Sequence, residues 1–429
     1  METKEVKVCV IGLGYVGLPL ARLFSTKFET IGYDIKAKRI ETLREGVDVT
    51  GEVEDCLLRE AIEKHGLRFT SKTDDIRGSN FYVVAVPTPV DENNRPVLDP
   101  LRAASEIVGN VVQRGDIVVY ESTVYPGVTE EVCLPIVERV SGLKVGRDFG
   151  GGYSPERINP GDKVHTVETV RKITSGSDEA TSERIAETYG AVIKAGIYKA
   201  PNIRVAEAAK IVENVQRDVN IGLMNELARV FNAMGIDTGD VIEAAGTKWN
   251  FIKMQPGLVG GHCIGVDPYY LIEKAQAYGV LPRIMTDARR LNDCMGAYVA
   301  QEVVKLMNKK GLMVKDARVL ILGFTFKENC KDIRNTKIVD IDKALREYTD
   351  NISIYDTWAD KEEVRKSYGI EIENGGVETL KGKYDAVIVA VAHKEFEGID
   401  VRGLLEDRDK GVVYDVKGKV DRGMVDGRL

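Results

Sequence analysis

The sequence contains no run of about 18 apolar residues, so no segment reads as a membrane-spanning helix. Its opening, Glu5-Val6-Lys7-Val8-Cys9, runs straight into a strand pattern without an apolar targeting region, and a cytoplasmic protein is expected. Cysteine is sparse: six residues (9, 56, 133, 263, 294, 330) with no CxxC pair, which reads as reduced thiols, not a disulfide framework. The four histidines (65, 165, 262, 393) lie far apart with no HExxH spacing, so no metal is expected. Basic residues are not in excess either. Lys plus Arg is 60 against 67 for Asp plus Glu, a net charge of −7, which disfavours nucleic acid and anionic membranes as partners. What is present is a 43% hydrophobic chain of 429 residues with 42 glycines. That composition suits a large globular protein of about three domains and excludes intrinsic disorder.

The first third alternates strand and helix patterns. Residues 7–11 form an apolar run, followed by Gly12-Leu13-Gly14-Tyr15-Val16-Gly17 and a helical pattern over about 18–28. Residues 30–33 end in Asp34, and two further β-rich runs, 80–86 and 116–120, end in Pro87-Thr88-Pro89 and Glu121-Ser122-Thr123. Buried strands alternating with helices imply a parallel sheet covered on both faces. From Ile203 to Met234 the apolar residues recur at three- and four-residue steps, broken only by Gly222. This predicts one helix of roughly 48 Å, too long for a single small domain, which would join two domains and whose apolar stripe could bury a subunit interface. From 318 the first pattern returns: runs at 318–322, 352–355, 386–392 and 411–414, with Gly323 and Asp356 in the places of Gly12 and Asp34. Phe324 and Phe326 stand beside Gly323, so the three-glycine fingerprint is missing and a second dinucleotide is not expected there, while the strand ends leave room for a mononucleotide. The expected fold is therefore α/β, with two Rossmann-like doubly wound domains joined by a long central helix and a helical middle domain. The expected boundaries are 1–200, 201–305 and 306–429.

A lone GxGxxG is a weak signal, but here it follows a strand, opens a helix, and precedes Asp34 by 20 residues counted from Gly14. Gly12 permits the tight turn, Gly14 lets the backbone approach a pyrophosphate, and Gly17 lets the helix lie close on the sheet. The helix start offers free N–H groups to phosphate. Asp34 would accept from the adenosine ribose hydroxyls and repel a 2′-phosphate, favouring NAD over NADP. The cofactor residues expected are Gly12, Leu13, Gly14, Tyr15, Val16, Gly17, Asp34 and Arg39. Arg39 could lie along the ribose; by itself it reads as a solvated helix charge.

Lys210 and Asn214 share one helix face at i, i+4 among small and apolar neighbours. Such a lysine either snorkels at a surface or stabilises charge in a cleft. The segment Pro256-Gly257-Leu258-Val259-Gly260-Gly261-His262-Cys263-Ile264-Gly265-Val266-Asp267-Pro268, with four glycines and two prolines, excludes a regular helix or a central strand. Cys263 in that loop is the candidate nucleophile; the plain alternative is a small buried hydrophobe, and Cys330 is the second candidate thiol. NAD together with a nucleophilic thiol points to oxidation of an alcohol through the aldehyde to the acid.

These motifs resemble the UDP-glucose/GDP-mannose dehydrogenase family along essentially the whole chain. The residues carrying the likeness are Gly12 to Gly17, Val86-Pro87-Thr88-Pro89, Glu121-Ser122-Thr123-Val124-Tyr125-Pro126-Gly127, Ser154-Pro155-Glu156, 206–214, 260–267 and 323–334. Within the family the chain looks most like the UDP-N-acetylhexosamine branch, on Glu156-Arg157-Ile158-Asn159-Pro160-Gly161-Asp162-Lys163 and on 261–270. UDP-glucose enzymes carry a second Glu where Pro160 stands and a Lys where Val266 stands. The resemblance implies a four-electron, two-NAD oxidation of C6 of a UDP-sugar to the carboxylate, in a homodimer built through the central helix. It implies Cys263 as nucleophile, Lys210 and Asn214 on the C6 oxygen, Asp267 orienting Lys210 or the water, and Glu156 with Thr123 activating the hydrolytic water. Thr88, Ser122 and Arg334 fall to the cofactor side; Arg157, Ile158, Asn159, Gly260 and Lys327 fall to the substrate. The expected substrate is UDP-GlcNAc or UDP-GalNAc, with UDP-ManNAc as the alternative. A two-electron 6-phosphogluconate or hydroxyacid type of dehydrogenase is the more remote alternative, since it explains neither Cys263 nor the second α/β domain.

Overall fold

A computed structural model describes residues 5–91, 94–158, 166–261 and 264–429. The chain divides into two compact units, one of residues 1–213 with 269–279, the other of residues 214–268 with 280–429.

The first unit is built on eight strands: β1 (Lys7–Ile11), β2 (Glu29–Tyr33), β3 (Arg68–Thr70), β4 (Phe81–Val84), β5 (Ile117–Tyr120), β6 (Gly150–Tyr153), β7 (Lys172–Gly176) and β8 (Ile197–Lys199). Their order is β3-β2-β1-β4-β5-β6-β7-β8, and every pairing is parallel except β6 with β7. β4 and β5 are buried along their whole length, with no polar alternation, because helices cover both faces of the sheet. Val8, Val10, Phe24, Phe81, Val83, Val119, Ile185 and Tyr189 belong to its core. Phe24 and Tyr189 meet edge to face at 5.2 Å between ring centroids.

The second unit holds β9 (Val319–Leu322), β10 (Ile352–Tyr355), β11 (Ala386–Val389), β12 (Val412–Asp415) and β13 (Gly427–Arg428), all parallel in the order β10-β9-β11-β12-β13. Val299, Val303 and Met307 of the helix Met295–Lys309 join the core formed with Val319, Ile321, Ile388 and Val412. In both sheets the strand order reverses beside the first strand (β1 with β2 and β4; β9 with β10 and β11), and a crevice at such a reversal is where doubly wound folds take their ligands.

The central helix runs over Ile203–Met234, as its periodicity predicts. Its apolar stripe is not packed on this chain's own core. Val205, Val212, Leu223, Val230 and Met234 form one stripe that stands open, Val212 being 54% exposed. On the other side Glu207, Lys210, Asn214, Asp218 and Asn225 are buried. The helix turns its polar stripe inward, where Glu207, Asn214, Asp218 and Asn225 are held by hydrogen bonds with other segments. No helix among the described residues is long and apolar enough to cross a membrane.

Candidate active site

In the first unit the glycine turn takes the expected shape. Gly12 has φ +91°, and a Cβ there would stand 2.7 Å from the Ala85 carbonyl oxygen; a Cβ at Gly17 would stand 1.8 Å from the Gly12 carbonyl. Both glycines are demanded by the protein's own packing. A Cβ at Gly14, in contrast, would meet nothing within 4 Å, so the space beside that glycine is free for a ligand. The helix Gly17–Ser25 that follows has no side chain capping its start, which leaves its first N–H groups available to phosphate. Asp34 accepts from the Leu13 N–H at 3.0 Å and the Lys36 N–H at 2.9 Å and remains partly exposed. These features fit the adenosine half of NAD.

Arg39 departs from the reading as a solvated helix charge. Its side chain is only 9% exposed, and it donates to the Leu13 carbonyl through Nε (3.1 Å) and Nη2 (3.0 Å) and to Asp48 at 2.7 Å. Asp48 in turn accepts from Thr50, Glu52 and Val53, and despite burial these donors, with Arg39, hold its carboxyl below the usual range. The guanidinium thus ties the glycine turn to the 48–53 loop. Its Nη1 is buried with no partner among the described residues, a donor left over beside the cofactor turn.

At the strand ends, the Thr88 hydroxyl donates to the Thr123 carbonyl (2.7 Å) and Ser122 to the Val86 carbonyl (2.6 Å), stitching the segments after β4 and β5 together. Tyr270 donates to the Thr88 carbonyl at 2.6 Å. Glu156 follows β6 and is buried; its Oε1 accepts from the N–H groups of Arg157 (2.6 Å) and Ile158 (2.8 Å). Its Oε2 lies 3.4 Å from Lys172 Nζ, and that ammonium also donates to Glu121 Oε2 at 2.6 Å and to the Pro155 carbonyl at 3.0 Å. Tyr189 donates to Glu121 Oε1 at 2.5 Å. Arg157 forms an ion pair with Glu213 at 2.6 Å. Glu207, fully buried on the central helix, accepts from Gly127 (2.6 Å) and Thr129 (2.9 Å), and burial pushes its carboxyl up to about 7 against those two donors. Lys210 is 6% exposed with no ion-pair partner among the described residues, which removes the surface-snorkelling alternative.

In the second unit, the loop ahead of the helix Asp267–Ala277 is pinned by buried polar side chains. Asn225 both accepts from the Gly257 N–H (2.8 Å) and donates to its carbonyl (3.0 Å). Arg289, itself buried, donates to the Ile264 carbonyl at 3.3 Å and is paired with Asp218. Burial pushes Asp218 up to about 6 even with Arg289 beside it. Asn292 links Asp218 to Asn225. Asn214 donates to Asp267 at 2.5 Å. A Cβ on Gly260 would lie 2.6 Å from the Asn335 carbonyl, so only glycine fits. Lys327 sits with its ammonium 5.4 Å from the centre of the Phe326 ring, and Arg334 pairs with Asp332, its Nε at 2.8 Å. Asn159, Pro160, Gly161, Asp162, Lys163, His262 and Cys263 lie outside the described residues.

The structure therefore brings Glu156 into one cluster with Glu121 and Lys172, and Asn214 into contact with Asp267. Sequence reasoning missed Lys172, Tyr189, Glu207, Asn225 and Arg289 and passed over Glu121 inside a quoted motif. Lys172 carried a signal: a lysine heading the buried run Lys172-Ile173-Thr174-Ser175 contradicts the strand's surroundings and calls for a buried anion.

A largely parallel sheet reversing beside a glycine turn, with an acid just after the second strand, defines a dinucleotide-binding protein of the Rossmann class, and the second, similar sheet makes it a two-Rossmann chain. The family models match in order: the UDP-glucose/GDP-mannose dehydrogenase NAD binding domain over 6–193, the central domain over 204–294, and the UDP binding domain over 320–422. The chain is 54% identical to a UDP-N-acetyl-D-glucosamine 6-dehydrogenase of Salmonella typhi over 428 residues, 99% of each chain. It is 52% identical to one of Pseudomonas aeruginosa, covering 99% of this chain and 100% of that one. Among solved structures it resembles a UDP-D-ManNAc dehydrogenase of Pyrococcus horikoshii, with a TM-score of 0.88 at 29% identity over 99% of this chain and 98% of the other. The chain belongs to the UDP-glucose/GDP-mannose dehydrogenase family. It is an NAD-dependent nucleotide-sugar dehydrogenase whose substrate is a UDP-sugar.

Proposed function

We propose that the chain oxidises the C6 hydroxyl of UDP-N-acetyl-D-glucosamine to the carboxylate, passing two hydrides to two NAD in turn. The observation that carries this reading is the 54% and 52% identity, over essentially the full length, to relatives with that activity in their names. NAD supplies the hydride acceptor; the rest of the chemistry falls to the chain. Gly12, Leu13, Gly14, Tyr15, Val16, Gly17, Asp34 and Arg39 hold the adenosine diphosphate end, and Thr88, Ser122 and Arg334 serve the nicotinamide end. Arg157, Ile158, Asn159, Gly260 and Lys327 hold the substrate. After the first oxidation the Cys263 thiolate adds to the C6 aldehyde, and loss of the second hydride leaves a thioester. Lys210 and Asn214 stabilise the C6 oxygen as negative charge develops; a buried ammonium without a counter-ion among the described residues suits that role. Asp267, bonded to Asn214, fixes the amide's orientation. Glu156, with Thr123, takes a proton from the hydrolytic water.

The three matched segments support functional domains at 1–200, 201–305 and 306–429. The open apolar stripe of the central helix supports a homodimer formed through it, and the absence of a membrane-crossing helix among the described residues is compatible with a cytoplasmic enzyme. Incubation with UDP-GlcNAc, UDP-GalNAc, UDP-ManNAc and UDP-glucose tests the substrate: two NADH per UDP-GlcNAc, with the others slower, is the expected result. Cys263→Ser loses the acid product; uronate formed at the parental rate by that variant would falsify the covalent route. Val212→Glu with Leu223→Glu shifts the protein to monomer in sedimentation if the stripe is the interface.

A further inference from the structure

The first unit buries three charges at one place that the reaction as described does not use in full. Glu121 follows β5, Glu156 follows β6, and Lys172 heads β7, which runs antiparallel to β6 and so starts where β6 ends. Lys172 is 3% exposed, and its three N–H donors are all engaged: Glu121 Oε2 at 2.6 Å, the Pro155 carbonyl at 3.0 Å and Glu156 Oε2 at 3.4 Å. Burying such a triad carries a desolvation cost for each ion before its attractions are counted. A closed Glu121–Lys172 pair would satisfy both charges. The third donor nevertheless reaches Glu156, whose other oxygen is already fixed by two backbone N–H groups. The carboxylate is gripped at both oxygens, so it cannot turn.

We propose that Lys172, itself held by Glu121 and Tyr189, is a positioning residue that fixes the orientation of the Glu156 carboxylate for the hydrolytic half of the reaction. The inference rests on the reading of Glu156 as the base. In that half-reaction the water oxygen bonds the acyl carbon, the carbon–sulfur bond breaks with its electron pair left on the Cys263 sulfur, and one water proton passes to Glu156. The second proton stays with the new carboxyl group. Electrostatics agree with the geometry: burial works against the Lys172 ammonium, yet the carboxylates of Glu121 and Glu156 together raise its affinity for the proton. Burial pushes the Glu121 carboxyl up to about 7, against the pull of Lys172. The groups facing this ammonium are Glu121, Glu156 and the Tyr189 ring, whose centre lies 5.7 Å from Nζ.

The test separates oxidation from hydrolysis by pre-steady-state NADH release and intact-protein mass with UDP-GlcNAc and saturating NAD. Lys172→Met, and the paired change Glu121→Gln with Lys172→Met that removes both charges together, should each give a burst of two NADH per subunit. Turnover should then be about 10- to 100-fold slower, with the acyl-enzyme mass accumulating; Lys172→Arg should recover part of the rate. Glu156→Gln is the reference and should accumulate the same species. If Glu156→Gln accumulates acyl-enzyme while the paired variant, folded and melting cooperatively, turns over at the parental rate without it, the inference is overturned and the base assignment stands. If Glu156→Gln itself leaves hydrolysis untouched, the base assignment fails and the inference with it.

Discussion

The molecule contains the same turn twice, and the two copies do different work. Gly12 and Gly323 both end a first strand at positive φ (+91° and +96°), and each donates to the last residue of the neighbouring strand, Tyr33 at 2.8 Å and Tyr355 at 2.7 Å. An aspartate follows each neighbour. Asp34 accepts two backbone N–H groups and keeps a face toward solvent. Asp356 accepts from Phe324 (2.5 Å), Thr325 (3.1 Å), Trp358 (2.6 Å) and Ala359 (2.8 Å), meets His393 Nε2 at 3.0 Å, and has no exposure. His393 Nδ1 accepts from the Asn329 N–H at 3.0 Å, which assigns its proton to Nε2, facing Asp356. The first acid keeps an open face, as the ribose-binding role proposed for it requires; the second is spent on shaping the 324–329 segment, which carries Lys327. A carboxylate at the end of the second strand is therefore a cofactor signal only when the turn leaves its oxygens free.

The largest expected effect on this contrast comes from the acids themselves. Asp356→Asn should destabilise the second unit by about 3–5 kcal/mol, because an amide has one accepting oxygen in place of two and leaves buried N–H donors without an acceptor, and should leave NAD affinity of the folded protein unchanged. Asp34→Asn should do the reverse: NAD binding about 10- to 100-fold weaker by calorimetry, NADP binding improved, and the melting temperature hardly moved. A melting temperature that fell equally for both would break the comparison. Next come the glycines of the first turn. Gly17→Ala places a Cβ inside a backbone oxygen and should prevent the first unit from folding, whereas Gly14→Ala should fold normally and lose NAD affinity. If Gly14→Ala bound NAD as tightly as the parent, the free space beside it would not be the pyrophosphate's.

A smaller effect is the response to pH. The Asp356 carboxyl is held below its ordinary value because His393 and the backbone donors outweigh burial, so its contribution is present above the unfolded value of about 4 and is lost as pH falls below it. Glu207 runs the other way. Burial lifts its carboxyl to about 7, so the folded protein holds a proton that the unfolded chain releases above about 4.5, and stability declines as pH rises through that window. Thermal melts between pH 5 and 8 should show this decline for the parent and a shallower one for Glu207→Gln. An equal slope in both would remove Glu207 as its source.

Much of the architecture was legible because it is written in local pattern. The runs at 7–11 and 352–355 and the helix Ile203–Met234 coincide with the elements observed, since continuous β-branched runs and a 3.6-residue period have few other readings. The inward face of the central helix was not legible. Val212 and Leu223 mark the apolar stripe by period and stand open, but the period does not say that Glu207, Asp218 and Asn225 go inward, because their partners Gly127, Arg289 and Gly257 come from elements up to 80 residues away in the chain. The burial of Arg39 was hidden for the same reason: nothing near it in sequence announces Asp48 as its partner.

By itself the sequence determined the two sheets, the glycine turn with its acid, and the family, all of which depend on residue type at short spacing and on close similarity along the chain. Only the tertiary structure decided which charges are sealed and which remain open. Asp34 and Asp356 occupy like positions in the strand pattern, and Lys172 heads a strand like many others; what separates them is the set of donors and acceptors that folding brings to each. A buried charge is tolerated only where distant groups satisfy it, and that condition is met in space, not along the chain.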